Sequence, residues 1–545
     1  MKNNKIYIPL VAAGMLFGSC NDLDQLPNTN AVTEGQKQEA VQANPSLAAA
    51  GVNALPSQLN SYGSLFSNHL DFGWPSCIIA LECRGQDCIS ANVGYNWFTP
   101  ALTLTDWNNR YILNYQEWEY NYYTIRSANN VIASIPDPNT PELKYYVAQA
   151  LTFRANSYFY LAQIYQFTYA RNPEAPCVPI ITEENMDIVG TEGCPRSSVR
   201  EVYERINEDL TNAIALFTDC EADGVSRSTM AESNNIVKTF ANSTVAYGLR
   251  ARANLFRCEY KAAASDAQKA LELATAEGLS PYSIAEASVP AFTTLQDHNF
   301  IWGTYLDPSS SQASGIVTYA SHFTGFQTNG YAGAGVYRRI NKKLYESIPS
   351  TDVRKKWWLD GSGNYPSSLP AAYADYISSG YDAVGSAPFE PYSQLKIGNY
   401  QNTPSTIGAI DNPLLRVEEL HLILAEAQGM DSPSAGAATL KSFVTTFRDP
   451  SYTCTPTSSE ELRDLIWYQR RIELWGEGFA FWDLMRLQKG IDRRGAGFEP
   501  ETVFLVAPDN PCLIYNIPQS EQQANPQIGE VTTGAVKPNP VDDEK

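Results

Sequence analysis

The stretch RRIELWGEGFAFWDLMRL, residues 470–487, decides how this chain is read. It sets Arg471, Glu473, Glu477, Asp483 and Arg486 among Leu, Phe and Trp side chains. Carboxylates flanked by arginine in apolar surroundings are paired, and pairing keeps them ionised. A general acid needs the opposite, a raised pKa. The stretch is therefore read as a structural ion-pair network with Trp475 and Trp482 packed nearby, not as a catalytic centre. Counted back to Glu460, the pattern predicts one long helix, or a helix broken at Gly476 and Gly478.

Working outward, the same helical period recurs. Val147, Ala150, Leu151, Tyr158, Leu161 and Tyr165 form one stripe over 142–167, and Val202, Ile206, Leu210, Ile214 and Phe217 another over 197–217. Residues 236–256 and 260–274 read as a helical pair. The second member, with Tyr260, Ala264, Ala267, Ala270 and Leu271, resembles the second helix of a tetratricopeptide repeat. A further pair is predicted over 415–428 and 434–447. The character changes over 281–410 and 66–118, where Gly, Pro, Ser and aromatics dominate and strand-like runs are short, as at 300–305 and 394–397. Long irregular stretches on a rigid scaffold usually carry binding surfaces. The expectation is a mainly α fold: tetratricopeptide-like helical pairs over about 110–280 and 411–490, with a loop-rich ligand region over 66–118 and 281–410.

The 545 residues are 43% hydrophobic and 18% charged, a globular composition, and the formal net charge is −20. Nucleic acid and anionic lipid surfaces need a basic footprint, so neither is an expected partner. No nucleotide, metalloprotease or serine-hydrolase motif is present. The four histidines (His69, His298, His322, His421) are far apart and no C-x-x-C occurs, so neither a metal site nor a cofactor is expected. Cys83 and Cys88 are near enough to pair, although connectivity does not follow from sequence.

The N-terminus reads as an address. Lys2 and Lys5 precede an apolar run over 6–17, then Gly18, Ser19 and Cys20. Residues 16–20 resemble a bacterial lipobox, with Phe17 where leucine is usual. This implies a signal peptide over 1–19, an acylated Cys20 and a polar tether over 20–46 leading into a single domain over 47–545. Several acyl chains on one cysteine give a stable anchor where one chain would not.

Six segments, in order, resemble the SusD/RagB family of Bacteroidetes. They are YNYYTIRSANNVIASI at 120–135, QALTFRANSYFYLAQIYQ at 149–166, SSVREVYERINEDLTNAIALF at 197–217, RVEELHLILAEA at 416–427, the opening stretch at 470–487, and IPQSEQQANPQ at 517–527. Asp22 and Asp24 behind Cys20 likewise resemble the surface-export signal of Bacteroidetes lipoproteins. The resemblance implies a SusD-like fold, a surface site for a glycan or oligopeptide, and no catalysis. It also implies an outer-membrane location facing outward and a partner of the SusC type, a TonB-dependent barrel that imports the ligand.

Residues 83–98 read CRGQDCISANVGYNWF. Tyr95, Trp97 and Phe98 supply flat apolar faces for a sugar's C–H face. Asn96 and Arg84 supply hydrogen bonds for its hydroxyls. By resemblance, this region carries ligand contacts in relatives. Trp74, Phe323 and Tyr331, from the other irregular stretches, complete the candidate set. The alternative, burial of Trp97 as a loop anchor, stands beside it, and Trp118 and Trp302 are read as core. A glycan receptor is the leading function. An oligopeptide receptor, a surface hydrolase and a peptide-binding helical scaffold are the alternatives.

Overall fold

A computed structural model describes residues 33–63, 65–90, 94–289, 294–332, 335–336, 338–371, 374–375, 377, 389–398, 405–529, 531 and 533–543. The expected signal peptide over 1–19 and Cys20 lie outside these residues.

Twelve longer helices carry the architecture: α1 (Glu34–Ala43), α2 (Ala49–Gln58), α3 (Trp74–Arg84), α4 (Ile112–Ser134), α5 (Pro141–Ile164), α6 (Val199–Ala222), α7 (Ser243–Phe256), α8 (Tyr260–Ala276), α9 (Val417–Asp431), α10 (Pro433–Phe447), α11 (Ser459–Glu473) and α12 (Phe479–Arg486). From α4 to α10, each helix packs on the next, and α11 returns onto α9. This is the stacking of helical pairs that the apolar stripes predicted: Val202, Ile206, Leu210, Ile214 and Phe217 of α6 are all buried. Local chemistry sets the boundaries. Ser198 and Glu201 form a reciprocal capping box at the start of α6, and Asn242 caps α7. That cap starts α7 at 243, so the helix expected over 236–256 is instead a 3₁₀ turn (Asn234–Thr239) and then α7.

The stretch at 470–487 is a broken helix. Gly476 and Gly478 sit at φ 81° and 89°, the left-handed region that glycine enters freely. They separate α11 from α12. Around the break, Glu477 accepts from Lys396 at 2.5 Å and from Arg416 at 2.8 Å. Glu473 accepts from Arg448 at 2.7 Å. Burial would raise the Glu473 pKa, but Arg448, Arg416 and Arg354 overcome it and hold the carboxyl well below its usual range. Asp483 joins Arg470 and Arg486, each at 2.7 Å. Trp475 and Trp482 are buried beside them. The ion-pair reading of the stretch holds.

Two further expectations are corrected. The tether was expected to run to residue 46, but 34–43 form α1, capped by Thr33 and Gln36. Gln38 and Gln42 of α1 donate to the backbone carbonyls of Ala133, in the last turn of α4, and of Asp137, just beyond it. Within 66–118, expected to be irregular, WPSCIIALECR folds as α3 with every residue buried. A helix covered on all sides has no polar face, so it has no amphipathic period to read.

Among the described residues the sheet content is three two-stranded antiparallel pairs, two of which matter here. β2 (Phe300–Gly303) pairs with β4 (Pro413–Arg416), closing the irregular insertion onto the start of α9. β1 (Cys88–Ser90) pairs with β3 (Arg338–Ile340), Cys88 opposite Ile340 and Ser90 opposite Arg338. The main apolar cluster of buried residues draws its members from Val41 through Ile517. Cys83 and Cys88 are buried, unlinked thiols.

Candidate functional site: an aromatic platform

The β1–β3 pairing builds the site. It joins two segments some 250 residues apart, and so brings the 94–98 loop after β1 against the segment that leads into β3. Within the loop, side chains alternate: Tyr95 and Trp97 are 57% and 39% exposed, while Asn96 and Phe98 are 5% and 0%. Asn96 is the reason. Its amide donates to Ser90 Oγ at 3.0 Å, and its carbonyl oxygen accepts from the Phe98 N–H at 3.2 Å and from Arg338 at 3.4 Å. The inward amide and ring turn the two intervening rings outward.

Those rings cap a column of aromatics rising out of the core. Phe72, fully buried, lies parallel to His322 with ring centres 5.3 Å apart. His322 stacks on Tyr331 at 4.6 Å. Tyr331 lies 6.3 Å from Tyr95 and 5.7 Å from His69, and its hydroxyl contacts His69 Nδ1. His69 in turn stacks on Trp97 at 4.7 Å and 23°. The Tyr331 phenol also hydrogen-bonds with the Trp97 side chain, and burial raises its pKa. Burial, with Arg338 nearby, drives the His322 pKa well below its ordinary value, so this histidine stays neutral and acts as a flat spacer. The result is a rigid platform with two rings facing out, backed by stacked rings that restrict their rotation.

The candidate residues therefore divide. Trp97, Tyr95 and Tyr331 are brought together at the surface, with Tyr331 largely covered. Asn96 supports the loop from beneath. The remaining four point inward. Phe98 is fully buried, edge-on to Phe72 and His322. Arg84 pairs with Asp106 and lies between the Phe481 and Tyr515 rings, donating to the Cys512 and Leu513 carbonyls. Trp74 starts α3 and packs edge-on to Tyr160. Phe323 packs on Tyr319 and Trp475. Arg84 is corrected from hydroxyl binder to core cation, and Trp74, Phe98 and Phe323 from surface rings to core. Trp118 and Trp302 are core, as expected. Sequence reasoning missed His69 and His322, because two histidines 253 positions apart carry no local signal that they share one stack. The aromatic run around His69, from Phe66 to Trp74, was the available signal.

With this geometry in hand, comparison with known proteins is informative. Residues 82–255 match a family described as "Starch-binding associating with outer membrane", and 394–544 match the SusD family. The chain belongs to the SusD-like family. A SusD-like protein of Formosa agariphila is 22% identical over 443 residues, 74% of this chain and 80% of that relative. The crystal structure of a SusD-like carbohydrate-binding protein from Bacteroides vulgatus superposes with a TM-score of 0.70 at 23% identity, covering 89% of this chain and 98% of that one. A laminarin-binding SusD-like protein superposes at 0.59 with 18% identity, covering 91% and 99%. These likenesses establish the SusD-like fold. Among the described residues, no helix is long and apolar enough to cross a membrane.

Proposed function

We propose that this protein is a non-catalytic glycan receptor on the outer face of the outer membrane. Acylated Cys20 anchors it, and it passes captured oligosaccharide to a SusC-like TonB-dependent transporter. The observation that carries the reading is the outward pair Tyr95 and Trp97 on a stacked aromatic column. Flat, rigid, solvent-facing rings suit the C–H face of a sugar, and the loop spends its own polar group, Asn96, on holding them. Family membership and the laminarin-binding relative point the same way. None of the rings and imidazoles that build the platform is a carboxylic acid, and the conspicuous acids of 470–487 are committed to arginine and lysine.

Stacking plus a few hydrogen bonds, less the cost of ordering a flexible sugar, predicts weak capture, roughly micromolar to millimolar. Weak capture suits a receptor that must release its ligand inward. Trp97→Ala tests the reading. Its half-exposed ring should be removable with little change in melting, while calorimetric affinity for an array-identified glycan falls at least about tenfold, or about 1.4 kcal/mol. Unchanged affinity would remove the platform from the site, and an array that lights only with peptides would move the reading to an oligopeptide receptor.

A further inference from the structure

Away from the platform, a cavity of about 340 Å³ opens between α2, the 232–240 segment and the 305–312 segment. That volume lies at the low end of small-ligand sites, about 300–1,000 Å³. None of its lining residues belongs to the platform. Its floor is apolar, with Pro56, Ile236 and Leu306. Tyr305, half-exposed, supplies one flat face. The polar groups are of complementary kinds. Asn53 and Glu232 stand side by side, amide nitrogen 3.5 Å from carboxylate oxygen. Gln312 lines the opposite wall.

Gln312 makes this more than a dent. Its Nε2 is buried and has no hydrogen-bond partner among the described residues. A buried donor left unmade is costly, and a rotation of this partly exposed side chain would present it to an acceptor held in the cavity. The wall that carries it is not loose. Asn60 donates to the Tyr305 carbonyl at 3.2 Å, and Asp411 accepts the Leu306 N–H at 3.0 Å and that of Leu295 at 2.8 Å. Thr304 N–H donates to the Asn412 carbonyl at 2.9 Å beside the β2–β4 pair. The site is thus held before any ligand arrives, which lowers the cost of binding.

We propose that this cavity is a second carbohydrate subsite, selective for a neutral oligosaccharide. Neighbouring sugar hydroxyls both give and take hydrogen bonds. The Asn53–Glu232 pair offers one donor and one acceptor to such neighbours, and Gln312 a further donor. Neutrality follows from charge: among the described residues Glu232 and Asp307 line the cavity and no lysine or arginine does, so an anionic sugar meets repulsion there. The proposal rests on the glycan reading of the platform but uses none of its residues.

The test places the second site on a silent platform. Soluble chain beginning after Cys20 is titrated by calorimetry with maltohexaose, laminarihexaose, xylohexaose, mannohexaose and, as the anionic control, trigalacturonate. The expected result is that Trp97→Ala retains weak, one-to-one binding of at least one neutral hexaose, which Tyr305→Ala or Gln312→Ala in the same background lowers at least tenfold. Glu232→Ala, at an exposed position, gives a second variant with no expected loss of fold, and melting curves accompany each. A wild-type protein that binds one of these sugars solely through Trp97 overturns the second subsite and leaves the platform standing. A wild-type protein that binds no neutral hexaose overturns both. Binding of trigalacturonate equal to that of the neutral sugars overturns the assignment of ligand class.

Discussion

Glu82 shows what one buried carboxyl does to the whole protein's pH response. It is fully buried on α3 and accepts the Gly478 N–H at 2.7 Å. Burial pushes its pKa from 4.5 up to about 8, against the pull of that backbone hydrogen bond. The folded state therefore keeps a proton that the unfolded state gives up above pH 4.5. The stability this proton contributes is complete below pH 4.5 and is lost as pH rises toward about 8, by about 1.4 kcal/mol per pH unit. Glu82→Gln, neutral at every pH, should flatten the slope by that one proton. Urea melts at pH 5, 6, 7 and 8 measure it, and an identical slope in both proteins would show that Glu82 is ionised in the fold. Arg84, two residues on, teaches a related lesson. An arginine beside an aromatic loop looks like a hydroxyl binder, yet its partner Asp106 and the Phe481 and Tyr515 rings hold it inside.

At the scale of elements, the turn between α11 and α12 concentrates the fold's demands. Glu477 at its centre takes hydrogen bonds from Lys396 and Arg416, both fully buried. Glu477→Ala takes one shared carboxylate from two buried cations, Lys396 keeping the Glu473 and Trp475 carbonyls and Arg416 keeping Glu418, and a broken buried pair costs about 3–5 kcal/mol. Melting temperature should fall clearly. An unchanged melt with lost sugar binding would make Glu477 a site residue. Gly478 tests the backbone separately. At φ 89° an alanine is strained by about 1–3 kcal/mol, so Gly478→Ala should lower the urea midpoint with little change in its m-value. Helices with one polar face, such as α6 and α11, were legible from spacing alone. α3 was not, because burial on every side erases the period.

For the whole molecule, the order of parts matters more than any one of them. Helical pairs stack from α4 to α10, and the two irregular regions meet across β1 and β3. Cys20→Ala should release the protein from the membrane fraction and abolish labelling by a metabolically supplied fatty acid. Equal labelling of both proteins would refute the anchor. If the protein also sits on a barrel transporter, mild detergent should extract the wild type together with a TonB-dependent partner.

The sequence by itself determined the helical pairs and the family, and it offered a break at Gly476 and Gly478 as one of two readings of the 470–487 stretch. Each depends on local spacing or on motifs that survive as letters: period, cap, glycine, and paired charge. It also marked the 94–98 loop as the place to look. Only the tertiary structure decided which rings face out. Tyr95 and Trp97 became a surface, while Phe98, Phe323 and Trp74 became core, because the choice depends on what Asn96 and the β1–β3 pairing place beneath them. His69 and Tyr331 joined the platform from 262 residues apart. Exposure of a side chain is a property of its neighbours in space, and in this chain the neighbours that matter are remote in sequence.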